Sequence, residues 1–198
     1  MSILIATPTG LVDLAAPDLA RITPRAMAHT LARLNRWAGN TELPVTDAQH
    51  SVLVREIFVR LHPDLRSQAI HPLLHDGHEY LLGDLTRPFQ QALEQRLPGF
   101  VRHVEAIKGE TDAAIRNALG LPEPSMDVRA AIHEADRLAA AIEWLSFIDA
   151  TNGPCPYGNP PRGLPTRVKA LSWPAAEEQF LAHLERDLAE RAWERLAA

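Results

Sequence analysis

Two imidazoles and two carboxylates fall within five residues at His75-Asp76-Gly77-His78-Glu79, inside an otherwise apolar stretch over 73–84. Helical spacing would set His75 beside Glu79 and Asp76 over Glu79. An unpaired charge among apolar side chains costs several kcal/mol, so such a density calls for a ligand or for partners. Two further residues on other helical stripes carry the same chemistry. His50 shares a stripe with Leu53 and Val54, and Asp136 is flanked by Ile132, Ala139 and Ala140. His50, His75, Asp76 and Asp136 would make a mixed nitrogen and oxygen shell suited to Zn, Mn, Co, Fe or Ni. Such a shell leaves positions for water and substrate, and a cation there can activate water and polarise a phosphoryl oxygen. Glu79 would stand beside it as an acid/base or water-orienting group.

Spacing alone leaves a plainer reading open. His50 could be a hydrogen-bonded core histidine, and Asp136 a partner for Arg137 or Arg33. Glu79 and Asp84 could be polar helix-end residues. His71 and His78 read as helix-surface groups or groups just behind the ligands. Trp37 defaults to core and Arg36 to surface.

The elements that must position these groups are helical. Thr23-Pro24 opens a first helix as cap and first helical residue, with Ala28, Leu31, Leu34 and Trp37 on its apolar face and Gly39-Asn40 as its stop. A second runs from Thr46 or Asp47 to His62-Pro63. A third is expected from Asp64 through the His-Asp stretch to Gly83, and a fourth from Thr86 to about Leu97. Long amphipathic helices follow over 100–119 and 125–149, and the last runs from Trp173 to the C-terminus with Phe180, Leu184, Leu188 and Trp193 facing inward. Residues 1–22 read as an extended arm or coil. Residues 150–172, punctuated by Pro154, Pro156, Pro160, Pro161, Pro165 and three glycines, read as one long loop. No stretch alternates convincingly at period two. The expectation is an all-α fold of six to seven helices in a single domain over 1–198.

With 198 residues, 46% of them apolar, the chain can bury a substantial core. Its formal charge of −5 argues against a nucleic-acid-binding surface. Cys155 is the one cysteine, which excludes an intrachain disulfide and fits a reducing compartment. The N-terminus lacks a basic region and a long apolar run, and no segment approaches a membrane span. A cytoplasmic protein with no membrane partner is expected.

The ordered set His50, His75-Asp76, Asp136 resembles the H…HD…D motif of HD-domain metal-dependent phosphohydrolases. The likeness extends to the segment around Asp47-Ala48-Gln49-His50 and to the Glu and Gly-Asp that follow the HD pair (Glu79, Gly83-Asp84). It also takes in Glu134-Ala135-Asp136-Arg137 and the closing segment from Trp173-Pro174. It covers about 7–188 and is nearest to the small bacterial and phage members, the 5′-deoxynucleotidases and deoxynucleoside triphosphohydrolases, including those that act on dATP. The resemblance implies an HD-domain helical fold and a divalent cation (Mn, Co, Zn, Ni, Fe or Mg) on His50, His75, Asp76 and Asp136. It implies Glu79 at the attacking water, with Asp76 also catalytic, and Asp84 at the sugar 3′-hydroxyl. Arg36 would meet phosphate and Trp37 the sugar or base. The implied reaction is hydrolysis of the 5′-phosphate of deoxynucleoside monophosphates. The alternatives are a purine deoxynucleoside triphosphohydrolase, distinguished by room and positive charge beyond the first phosphate, and a non-catalytic nucleotide-binding protein. A homodimer or homohexamer is the implied assembly. Two places depart from the family. Gln90 stands where a lysine is common, with Arg87 as a substitute phosphate contact, and Val45-Thr46 replaces a Tyr-Ser pair.

Overall fold

A computed structural model describes residues 2–197 and is mainly α, as the periodicity predicts. The first departure is at the N-terminus. The expected extended arm or coil contains a small antiparallel hairpin, β1 (Leu4–Thr7) and β2 (Gly10–Asp13), in register from Leu4 opposite Asp13 to Thr7 opposite Gly10. Four residues per strand are too few for alternation to be read from sequence. Yet Val12 is fully buried while Leu4 and Leu11 are exposed, and the Thr7 hydroxyl donates to the Gly10 carbonyl at 2.7 Å to close the turn.

Helix α1 (Pro24–Leu31) begins as expected, with the Thr23 hydroxyl accepting from the Ala26 N–H at 3.2 Å. It stops one and a half turns before Trp37. There the chain pairs instead with the segment ahead of the next helix. Asn35 bridges to Thr46, the Arg36 N–H donates to the Val45 carbonyl at 2.8 Å, and the Asp47 N–H to the Leu34 carbonyl at 3.1 Å. Backbone groups spent in these bonds cannot extend α1.

Helix α2 (Asp47–Leu61), capped by Thr46 onto the Gln49 N–H, is buried almost all round and forms the axis of the molecule. One side, through Leu53, Val54, Ile57 and Phe58, packs on α7 (Met126–Phe147). The other joins α1, α3 (Ile70–Leu73) and α8 (Trp173–Ala197) in a second apolar cluster around Met27, Ile70, Leu73, Phe180 and Leu184.

The single helix expected over 64–83 is broken. A 3-10 segment (Pro63–Gln68) and α3 lead to a series of tight turns at 74–78, and α4 (Glu79–Leu82) follows. Gly77 sits where a Cβ would come within 3.0 Å of the Leu74 carbonyl oxygen and 3.3 Å of Met27 Cε. Gly83, at φ +77°, ends α4 in a conformation that favours glycine. The break raises the number of helical segments above the six to seven expected. Helices α5 (Arg87–Glu94) and α6 (Phe100–Ala118) complete the set. Residues 150–172 form the expected long loop apart from a 3-10 turn at Ala150–Asn152. Trp193, expected inward, is 73% exposed because α8 has by then run past the elements it packs on. The continuation of α8 to residue 198 lies outside the described residues. No helix among them is long and apolar enough to cross a membrane.

Candidate metal centre

His50 projects from the first turns of α2 and Asp136 from the middle of α7. His75 and Asp76 come from the turn between α3 and α4 rather than from a helix, which corrects the expected placement. The turn lets adjacent side chains converge, as a helix would not. Ligand atoms of His50, His75 and Asp76 lie within 4.8 Å of one another. Asp76 Oδ2 is 3.1 Å from His75 Nε2 and 3.8 Å from His50 Nε2. Asp136 Oδ1 stands 3.1 Å from His50 Nε2 and 3.7 Å from His75 Nε2.

The outer ring nitrogens are fixed from behind. His50 Nδ1 donates to Glu143 Oε1 at 2.7 Å and His75 Nδ1 to the Pro72 carbonyl at 2.8 Å. Both Nε2 atoms are buried without a hydrogen bond. Imidazoles whose Nδ1–H is tied to a carboxylate or carbonyl and whose Nε2 is bare are oriented as metal ligands are. The charges agree. Burial would raise Asp76 and Asp136, but the facing histidines (and Arg36 at Asp76) hold both well below the usual carboxylate range. Burial and Arg36 would lower His50, and burial would lower His75. The carboxylates around them outweigh this and hold both imidazoles above their ordinary value. The cluster therefore attracts positive charge, which a divalent ion supplies in more concentrated form than two protons. The donor set fits a divalent cation. A second triplet, Asp76, His78 and Glu79, also brings ligand atoms within 4.8 Å, with Asp76 common to both.

On one flank the centre is closed by a charge network. Glu143 Oε2 accepts from Arg36 Nε and from Trp37 Nε1, each at 3.1 Å, so one carboxylate holds His50, Arg36 and Trp37 together. Burial opposes the charge on Glu143, but Arg36 and His50 pull its carboxyl down to about 2. Arg36 Nη1 is 3.6 Å from Asp76 Oδ2 and 3.8 Å from Asp47 Oδ1, which places it in the site rather than on the surface. Trp37 is likewise not a helix-face core residue. It follows Arg36 in a 3-10 turn where Trp37 and Ala38 both have positive φ, +59° and +51°. Left-handed non-glycine residues of this kind cost of order 1–3 kcal/mol and gather at functional sites. The Trp37 ring makes edge contacts with Trp144 and Tyr157, 5.8 and 6.1 Å between centroids.

Glu79 and Asp47 lie behind this network, both buried. Burial, with Asp76 and Asp47 alongside, pushes Glu79 up to about 10. Burial pushes Asp47 to about 7 against the pull of Arg36. Asp84 is half-buried at the same place, raised by burial and acted on by Arg36, Asp76 and Lys108. Arg87 is exposed and near enough to Tyr157 for their charges to interact. Gln90 is buried and donates to the Leu85 carbonyl at 2.5 Å, so it replaces no charge in the site. The suggested partners of Asp136 are engaged elsewhere. Arg137 donates to the Tyr157 carbonyl and Arg33 pairs with Glu177.

No protein-family profile matches the chain. Over 136 residues, 67% of its length, it is 33% identical to an uncharacterized protein of Rhodobacter capsulatus. The chain spans 66% of that relative's length.

Two residues, Glu143 and Asp47, escape a reading based on the HD pair and its partners. Glu143 lies two turns after Asp136 on the same face of α7, and a glutamate on an alanine-rich buried face was the signal available. Asp47 lies one turn before His50 on α2. His71 and His78, expected on the surface or behind the ligands, are 5% and 4% exposed, and His78 Nδ1 meets Asp112 Oδ1 of α6 at 3.1 Å.

Proposed function

We propose that this protein is a divalent-metal-dependent phosphohydrolase acting on the 5′-phosphate of deoxynucleotides. One observation carries the reading. Two buried imidazoles, each fixed through Nδ1, turn bare Nε2 atoms toward two carboxylates held ionised. That arrangement suits hydrolysis at phosphorus, and the order of the residues along the chain resembles that of the HD-domain enzymes. A divalent ion bound there supplies positive charge to a phosphoryl oxygen and makes water acidic enough to attack near neutral pH.

The protein's own residues do the rest. Glu143 keeps His50 in the tautomer that leaves Nε2 free, and through the same carboxylate aims the Arg36 fork. Arg36 offsets charge that develops on the phosphoryl oxygens in the transition state. Glu79, buried beside Asp76, holds a proton that can pass to the leaving oxygen. Asp84 accepts from the sugar 3′-hydroxyl and Trp37 packs on the nucleoside. In the reaction water oxygen bonds to phosphorus, the bond from phosphorus to O5′ breaks, and O5′ gains a proton.

The test is product analysis of a panel of deoxynucleoside mono- and triphosphates and their ribo counterparts with Mn²⁺, Co²⁺, Zn²⁺ or Mg²⁺. Deoxynucleoside with phosphate or triphosphate as co-product is expected. No turnover with any metal, by protein that retains a stoichiometric ion, would remove the enzymatic reading in favour of nucleotide binding alone.

A further inference from the structure

One face of α6 and one face of α7 run away from the metal cluster as walls of a cleft of about 480 Å³. His75, Asp76 and Asp136 stand at one end. On α7, Asp136, Ile132 and Arg129 follow at helical spacing, which puts Arg129 two turns, roughly 10 Å along the axis, from the ligand. Arg116 of α6 and His71 of α3 line the same cleft.

The far end of this cleft is built for negative charge. His71 is 5% exposed, and its Nε2 has no hydrogen-bond partner. Burial lowers its ring most, and the charges of Arg191, Arg116 and Arg129 add to this and bring it down to about 4. A neutral imidazole amid arginines can offer an N–H to an anion. Arg116 has no carboxylate within ion-pair distance among the described residues. Arg129 donates through Nε to the Pro124 carbonyl at 3.2 Å, and its one carboxylate partner among the described residues is Glu123, whose side chain is 65% exposed. The two acidic side chains that α6 contributes to the lining are occupied, Glu105 by Lys108 at 3.6 Å and Asp112 by His78. A buried polar atom without a partner, beside a cation without a counterion, is the signature of a missing anionic ligand.

We propose that His71, Arg116 and Arg129 bind the distal phosphates of a deoxynucleoside triphosphate whose innermost phosphate lies at the His50, His75, Asp76 and Asp136 cluster. This rests on the phosphohydrolase reading and specifies its substrate class. Water oxygen bonds to the innermost phosphorus and the bond from that phosphorus to O5′ breaks. One water proton passes to O5′, and the other stays on the triphosphate or is lost to solvent. Deoxynucleoside and intact triphosphate leave.

Inorganic tripolyphosphate is the probe. Its binding to the full chain, freed of metal so that no cation draws the probe, is measured by calorimetry for wild type, Arg116→Gln and Arg129→Gln, with circular dichroism as the check on folding. Wild type is expected to bind, and each folded variant to bind about tenfold or more weakly, as for one lost charge-assisted bond. In metal-loaded protein the same variants are expected to raise KM for dATP about tenfold and leave KM for dAMP unchanged. No binding by wild type, wild-type affinity in both variants, or equal effects on the two substrates overturns the proposal. Turnover of dAMP without tripolyphosphate binding removes this subsite and leaves the phosphohydrolase reading intact. Arginine-dependent binding without turnover of any deoxynucleotide does the reverse: the anion site stands and hydrolysis falls.

Discussion

The two flanks of the metal cluster are opposites. Toward α1 and the start of α2, the cation is answered internally: Arg36 sits among Glu143, Asp76 and Asp47, and the Glu143 carboxylate serves three donors, while the Asp47 carboxylate, without a hydrogen bond of its own, faces Arg36 at 3.8 Å. Toward α6 and α7, His71 Nε2 has no partner and Arg116 no counterion among the described residues. The contrast separates two jobs that charged residues do. A closed network fixes geometry and loses stability when any member is removed. The other flank leaves donors over, Nε2 of His71 and the Arg116 guanidinium, which a ligand can engage without breaking an internal pair.

The largest effect is expected where the two flanks meet. Asp76→Ala should abolish both metal retention and turnover, measured by elemental analysis and product assay, with helical content by circular dichroism nearly unchanged. Full activity in that variant removes the metal mechanism. On the closed flank, Glu143→Gln should reduce metal affinity or turnover by roughly 10–100-fold, the usual scale for groups that orient a ligand. It should also lower thermal stability, because the buried Arg36 charge loses a partner. If stability and metal affinity were both unmoved, the closed network would not be holding His50.

A smaller change is expected from Asp84→Ala, which should narrow the ratio of deoxy to ribo substrate turnover while leaving metal content alone. An unchanged ratio would take the sugar contact away from Asp84. The smallest effect concerns the open flank and pH. The folded-state value of His71 is depressed, so its contribution to stability is complete above the unfolded value near 6.5. It is lost as pH falls toward about 4, when the ring must charge beside Arg191 of α8, Arg116 of α6 and Arg129 of α7. Urea unfolding at pH 7 and pH 5 should show His71→Gln losing less stability on acidification than wild type, by about 1 kcal/mol. Parallel losses would mean that burial and the arginines do not depress this ring.

Much of this was legible from residue types. The capping threonines Thr23 and Thr46, the α6 and α7 stripes and the choice of His50, His75, Asp76 and Asp136 as candidates follow from residue type, helical spacing and their order along the chain. The local backbone around the site did not. Helical periodicity carried α1 on to Trp37, but the decisive contacts are backbone pairings of 34–36 with 45–47, which are distant in sequence and leave no mark on hydrophobic pattern. The helix expected through His75 and Asp76 was wrong for a related reason. A tight turn needs only a glycine at a crowded place, and Gly77 reads the same whether it sits in a helix or replaces one. Glu143 was hidden because a single polar residue on an apolar face carries no hint of which neighbour it meets.

The triple grip of Glu143 has a bearing on how such proteins can diverge. One carboxylate orients His50 through Oε1 and accepts from Arg36 and Trp37 through Oε2, so positions 36, 37, 50 and 143 depend on one another. Across relatives they are expected to be retained together or replaced together, since a lineage that drifts at one leaves a buried donor stranded at another. Positions 71, 116 and 129 carry no such mutual obligation. They are free to change singly as the anion that enters the cleft changes.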